Sequence, residues 1–281
     1  MAFAALALSA CNQAGKKETL TVKGSDTMVI LAQQWAEAYM QAHPDLAIQV
    51  TGGGSGTGIA ALINGTTDLA NLSRPIKDAE KRQLADKYGS NGVEIKVARD
   101  GLSIFLHKSN PVESLTVAQI KAIYQGKISN WKEVGGPDRR VIAYGRENNS
   151  GTYEYFKEHV LDKEDFAAKV QSLPGTAGVV NAVSKDEGGI GFGGAAYGEG
   201  IKMALVKAAA DSPAKSPTQE NVVSGEYPIS RNLFIYMRQR PEGMTKEFID
   251  WILADAGQAL VARAGYFPIR ALDPAVAEQA P

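Results

Sequence analysis

The sequence predicts an α/β protein of two lobes, with two mixed, mostly parallel sheets, helices on both faces, and a hinge of two extended strands. Three observations carry this. Strand-like and helix-like segments alternate from residue 19 to residue 87, the pattern of a largely parallel sheet with covering helices. Two long β-type stretches, 94–107 and 227–238, stand where the chain would cross from one lobe to the other and back. The 281 residues suffice for about two domains. The boundaries that follow are 1–18 for a leader and tether, 19–100 with 232–281 for the first lobe, and 101–231 for the second. Two lobes on such a hinge would close around a ligand held in the cleft between them.

Thr19–Lys23 alternates and is β-rich, so it reads as a strand, and Gly24-Ser25-Asp26-Thr27 as a turn. Met28, Leu31, Ala32, Trp35 and Tyr39 then recur at helical spacing on one apolar face, with Pro44 just beyond the expected end. Leu46–Thr51 is a second strand. The run Gly52–Gly58 leads into a short apolar helix over Ile59–Ile63. Asp68–Leu72 is a third strand, ended by Ser73-Arg74-Pro75, and Lys77–Lys87 is a charged, exposed helix. Glu94–His107 is a β-type crossover that the sequence breaks at Asp100-Gly101. Thr116 and Gln119 have capping-box spacing ahead of a helix with Ile120, Ile123 and Tyr124 on one side. Arg140–Tyr144 reads as a strand, 146–152 as a polar loop, and Ser150 as the N-cap of a helix carrying Tyr153, Phe156, Val160 and Leu161. Residues 175–200 are glycine-rich, with a tight strand entry at Gly188–Phe192. Residues 207–221 form a surface excursion, Tyr227–Arg238 crosses back, and Thr245–Arg263 is a helix closing the first lobe.

Composition removes several function classes. Thirty Lys and Arg stand against 31 Asp and Glu, a formal charge of −1, so there is no bulk electrostatic grip on nucleic acid or an anionic membrane. Any anion must be held by a local arrangement of donors. One cysteine allows no internal disulfide, and with three scattered histidines it makes no zinc site of the usual count. No metal, cofactor or catalytic residue is expected. The apolar run at residues 2–8 is far shorter than the ~20 residues of a membrane span. It reads as the end of a secretory signal whose basic opening lies further upstream. Leu8-Ser9-Ala10-Cys11 looks like a bacterial lipobox, which implies cleavage before Cys11, lipid attachment to its thiol, and a polar tether over residues 12–18.

Four loops share one character: Gly24–Thr27, Gly53–Gly58, Ser73–Arg74 and Arg146–Thr152. Each follows a strand or turn, is rich in glycine and small hydroxyls, and mostly enters a helix. Ligands of open α/β sheets bind outside the carboxyl ends of the strands, where helix N-termini offer N–H donors and a positive dipole end. Arg74 and Arg146 add forked, charged donors. The sum suits a small, enclosed tetrahedral oxyanion. Asp26 fits only if the ligand carries a proton, because a carboxylate accepts hydrogen bonds and does not donate them. Hydrogen phosphate has such a proton and sulfate does not, so Asp26 would select phosphate. Taken singly, Asp26 and Ser150 would serve equally well as helix caps, and Arg74 as half of a surface ion pair. No Gly-x-Ser-x-Gly is centred on Ser55, and the Gly52–Gly58 run lacks the Lys-Ser/Thr ending of a P-loop.

Four segments, LTVKGSDTMVILAQQWAEAY, VTGGGSGTGIAALINGTTDLANLSRPIK, GRENNSGTYEYF and EYPISRNLFIYMR, resemble in order and spacing the phosphate-binding subunits of ABC phosphate uptake systems. The resemblance covers nearly all of the chain beyond the leader. It implies a type II periplasmic-binding-protein fold, high-affinity capture of inorganic phosphate, and delivery to the transmembrane subunits of a permease. By motif it implies ligand roles for Ser25, Asp26, Thr27, Ser55 (framed by Gly54 and Gly56), Arg146, Ser150, Gly151 and Thr152. Ser73 and Arg74 join them from the loop reading alone. Some members carry an Asp before the proline corresponding to Pro75. Here the loop reads Ser73-Arg74-Pro75, which leaves Asp26 as the candidate proton acceptor. The expectation is a monomeric, extracytoplasmic phosphate receptor anchored to the membrane through Cys11. Its rivals are a receptor for sulfate, molybdate or tungstate, a phosphate sensor, and a secreted phosphoesterase.

Overall fold

The computed structural model describes residues 17–272; the lipidation expected at Cys11 and most of its tether lie outside them. In chain order, β1 (Glu18–Gly24) passes through a 3-10 turn at Asp26–Met28 into α1 (Val29–Ala42). Then come β2 (Leu46–Thr51), α2 (Ser55–Asn64), β3 (Leu69–Leu72) and α3 (Asp78–Tyr88). Next are β4 (Val93–Leu106), β5 (Ser114–Thr116), α4 (Val117–Tyr124), β6 (Ile142–Arg146), α5 (Gly151–His159), β7 (Gln171–Leu173) and α6 (Gly175–Lys185). The order ends with β8 (Gly189–Gly194), β9 (Lys202–Lys207), α7 (Gln219–Ser224), β10 (Ser230–Met237), α8 (Gly243–Leu253) and α9 (Asp255–Arg263).

Local sequence accounts for most of these. α1 buries the expected Leu31, Ala32, Trp35 and Tyr39, and Met28 just ahead of it is buried too. Thr116 and Gln119 exchange both capping-box bonds, at 3.0 and 2.8 Å. Two segments differ from expectation. The glycine-rich stretch hides α6, whose Val179 and Val183, one turn apart, are completely buried. The helix expected over Thr245–Arg263 is two helices, broken at Ala254, where ψ is 171°. Gly257 packs against the backbone of Ile252 there, too closely for a side chain, so α9 must fold back at once. Both helices keep their apolar residues in the same core, which is why a single period ran through the break.

The two separate, mostly parallel sheets expected from the sequence are one mixed sheet of ten strands. Its path is β2-β1-β3-β10-β4-β8-β6-β7, with β9 pairing to β4 and β5. Five strand pairs are parallel and four antiparallel, and all four antiparallel ones involve β4 or β10. The cause is that β4 does not break at Asp100-Gly101. It pairs with β10 up to Gly101 and with β8 and β9 from Leu102 onward. Gly101 is there for close approach: a Cβ would lie 2.5 Å from the Pro217 side chain.

The apolar side chains gather on either side of this crossing. Leu102, Ile104 and Leu106 of β4 join Tyr124, Trp131, Phe156 and Phe192 in one buried cluster. Val97 and Ala98 join Leu20, Trp35, Tyr39, Leu233, Phe248 and Val261 in another. A smaller cluster under α2 and α3 contains Ile59, Leu62, Leu72 and Leu84. Phe156 and Phe192 stack with centroids 4.0 Å apart, and burying each contributes roughly 1.5–3 kcal/mol. Asp100 and Arg231 sit opposite each other in the β4–β10 register, between the two larger cores.

Candidate functional site

The loops ending β1, β3 and β6 and the glycine-rich entry to α2 meet beside that Asp100–Arg231 crossing. Thr27 Oγ1 and Thr152 Oγ1 are 2.9 Å apart across 125 residues of sequence. The Ser73 backbone N–H donates to Ser55 Oγ at 3.0 Å, and the two serine hydroxyls are 3.3 Å apart. A Cβ on Gly151 would collide with Ser55 Oγ and come within 2.8 Å of Ser73 Oγ, so the start of α5 rests on those hydroxyls. Ser25, Thr27, Ser55, Ser73, Ser150 and Thr152 are all buried. Ser25 precedes the Asp26–Met28 turn, its N–H donating to Asn71 O at 2.8 Å. Ser150 caps α5, its Oγ accepting from the N–H groups of Thr152 and Tyr153 at 3.2 and 3.4 Å. The glycine loop and the polar loop also touch through backbone: Gly56 N–H donates to Asn149 O at 2.9 Å. Gly54 makes that approach possible with φ +88° and no side chain against Asn149 O.

Arg146 enters from the end of β6 with its side chain 1 % exposed. It donates to Asp26 Oδ2 and to Thr176 Oγ1, both at 2.8 Å. Its Nε–H is buried and has no partner. Burial pulls the Arg146 pKa below its usual value, with Asp26 opposing and Arg231 adding to the pull. Asp26 in turn accepts from Gly53 N–H at 2.7 Å, and Tyr197 O–H donates to the Asp26 carbonyl at 2.7 Å. Burial raises the Tyr197 phenol to about 12, against the pull of Arg146, so it donates throughout the physiological range.

Arg74 is engaged with carboxylates of the protein. Its guanidinium donates to both Glu80 oxygens, at 2.9 and 2.6 Å, and to Pro75 O at 2.8 Å, while Nε lies 2.5 Å from Glu154 Oε2. Burial lowers the Arg74 pKa, but Glu80 and Glu154 outweigh it and the net shift is upward. Two nearby carboxylates take this fork, because Glu80 sits in the first turn of α3 and reaches back to it. The second arginine of the cluster is Arg231. It donates to Asp100 Oδ2 through Nε and Nη2 at 2.9 and 2.8 Å, to Thr152 Oγ1 at 3.1 Å, and to Ser73 O at 3.2 Å. Thr27 Oγ1 lies 3.5 Å from it. Asp100 also accepts from Ala195 N–H at 3.1 Å, and complete burial pushes its carboxyl pKa up against the pull of Arg231. The sequence reading missed Arg231, Asp100 and Thr176. The signal for the first two was weak: they are opposite charges in the two strand-like crossover runs, but the first run also carries Glu94, Lys96 and Arg99 and the second Arg238.

The site therefore converges hydroxyls, backbone amides and an unpartnered, buried guanidinium N–H, each arginine balanced by one carboxylate. Such a donor-rich cluster has the chemistry to hold an oxyanion, and Asp26 adds an acceptor beside it.

Comparison with known proteins follows the same line. A PBP superfamily domain model matches residues 10–256. The phosphate-binding protein PstS of Pseudomonas aeruginosa is 35% identical over 278 residues, covering 92% of this chain and 85% of its own. This chain belongs to the PstS phosphate-binding protein family. The PstS of Staphylococcus epidermidis is 37% identical over 253 residues, covering 87% of this chain and 77% of its own. A Clostridium perfringens phosphate ABC transporter substrate-binding protein, solved with bound phosphate, superposes with a TM-score of 0.82. It is 30% identical over 90% of this chain and 100% of its own. An ABC-type phosphate transport receptor of Vibrio cholerae gives 0.71 at 29% identity, over 88% and 99%. The α/β fold is thus that of the periplasmic phosphate-binding structures, with the sheet continuous through β4.

Proposed function

We propose that this chain captures inorganic phosphate outside the cytoplasm and hands it to the permease of an ABC importer, without chemistry of its own. The observation that carries this is the Arg146 guanidinium. Its Nε–H is buried without a partner, on a guanidinium whose other groups hold Thr176 and Asp26, in a family of phosphate-binding proteins. A buried donor of this kind is costly unless an acceptor meets it, and a phosphate oxygen is such an acceptor. Ser25, Thr27, Ser55, Ser73, Ser150, Gly151 and Thr152 supply the remaining contacts. Asp26, with one lone pair left on each oxygen after binding Gly53 and Arg146, accepts the proton of hydrogen phosphate.

Residues 19–100 with 232–281, and residues 101–231, act as lobes hinged on β4 and β10. The separate apolar clusters on either side of Asp100 and Arg231 support that division. Closing over phosphate gives the form that docks on the permease, and Cys11 would hold the receptor at the membrane. Titration calorimetry of the stripped protein with phosphate, then sulfate, tests the ligand. Arg146→Ala should abolish measurable phosphate binding, because it removes a charged partner from a buried anion. Near-native affinity in that variant overturns the site.

A further inference from the structure

The glycines of β8 and the buried face of α6 fit each other. Gly189, Gly191 and Gly193 alternate along the strand and share one of its faces. A Cβ on Gly191 would stand 2.5 Å from Val179 Cγ1 and 2.9 Å from Val183 Cγ2, and one on Gly193 would stand 2.4 Å from Thr176 Cγ2. The helix therefore rests directly on bare strand, through Thr176, Val179 and Val183 at i, i+3 and i+7. Thr176, 1 % exposed, is the polar member of that buried stripe. Valine has the same shape and would put the same methyl over Gly193 without burying a hydroxyl. The hydroxyl has a different partner: its oxygen accepts from Arg146 Nη1 at 2.8 Å. A β-branched side chain turns little about its first torsion, so with the methyl seated on Gly193 the hydroxyl is held toward Arg146.

We infer that Thr176 is a positioning residue for phosphate capture, its hydroxyl holding the Arg146 guanidinium in the orientation that meets the ligand. This rests on the phosphate reading, in which Arg146 is a ligand group, and deepens it. A guanidinium is planar and rigid, so a bond at Nη1 also sets the directions of Nε–H and of Nη2, which donates to Asp26 Oδ2. The two anchors are not equivalent. Asp26 belongs to the proposed first lobe and parts from Arg146 when the cleft opens. Thr176 and Arg146 both belong to the second lobe and stay together. Without the Thr176 hydroxyl, the guanidinium of the open form spreads over other rotamers. Apparent affinity then falls with the fraction of molecules that still hold it correctly.

The experiment is titration calorimetry of the stripped protein with inorganic phosphate, comparing the unmodified chain, Thr176→Val and Thr176→Ser. Valine keeps the methyl over Gly193 and loses the acceptor; serine keeps the acceptor and loses the methyl. Thr176→Val should bind phosphate about 10- to 100-fold more weakly, the scale of a hydrogen bond to a charged group, and Thr176→Ser should recover most of that loss. A residue that only packs α6 on β8 predicts the reverse order, with serine the weaker binder. Should Thr176→Val not fold, Thr176→Ala removes the hydroxyl without adding bulk and should show the same loss. A loss smaller than about tenfold without the hydroxyl, or a serine variant that recovers little of it, overturns the inference. Failure of the unmodified chain to bind phosphate strikes instead at the phosphate reading itself.

Discussion

Adding one methyl group at Gly151 should separate binding from folding. Gly151 opens α5, and a Cβ there would collide with Ser55 Oγ and stand 2.8 Å from both Ser73 Oγ and Ser55 Cβ. Ordinary contact begins near 3.4 Å, so those neighbours must withdraw by more than half an ångström. Ser55 and Ser73 belong to the proposed first lobe and Gly151 to the second, and the easiest withdrawal is a slight opening between them. Alanine is itself a better helix residue than glycine, by about 0.5–1 kcal/mol, so the unliganded fold should lose nothing. The ligand contacts should lose at least one charge-assisted hydrogen bond, about 1.5–3 kcal/mol or roughly 10- to 100-fold in Kd. The assay is thermal unfolding without phosphate, paired with phosphate calorimetry. Affinity within about twofold of the parent would refute the reasoning, because the methyl would then have found room without moving the ligand shell. A large fall in Tm without ligand would refute it from the other side.

Other expectations follow from single contacts. Asp26→Asn should narrow the preference for phosphate over sulfate, since a neutral amide no longer repels a fully deprotonated anion; an unchanged ratio in a competition titration removes Asp26 from that role. Glu154 reaches Arg74 and Lys77 at 2.5 Å each, both across the proposed cleft. Removing the charge from these two ion pairs in Glu154→Gln should cost the closed form about 1–2 kcal/mol. Phosphate release, read by stopped flow, should then quicken by about 5- to 30-fold with little change in association. Glu133 accepts from the N–H groups of Ser129 and Asn130, in that order of effect, which lowers its pKa below the usual 4.5. Its contribution is complete above that usual value and disappears as pH falls through the depressed one. The stability gap between the parent and Glu133→Gln should therefore close in acid, and a gap that persists there would show the capping bonds to be irrelevant.

Periodicity and caps made most elements legible. The face of α1, the Thr116–Gln119 box and the Ser150 cap are local, decided by residues within a few positions of one another. The same local signals misled where glycine carried more than one meaning. Asp100-Gly101 looks like a break and is the middle of a strand, because Gly101 leaves room for Pro217 from far along the chain. Within the site, Arg146 and the small hydroxyls were visible as loop chemistry. The partners of Arg74 were not legible, because a guanidinium goes to whichever carboxylates reach it, and Glu154 comes from 80 positions further on.

By itself the sequence determined the alternation of strands and helices, the loops that could hold an oxyanion, and the resemblance that names the ligand. Only the tertiary structure decided which arginine faces the hydroxyls. That choice depends on β4 and β10 crossing so that Asp100 meets Arg231, a pairing set by strand register across 131 residues. Charge pairing falls off within a few ångströms in a wet protein, so no reading of neighbours along the chain could have assigned it.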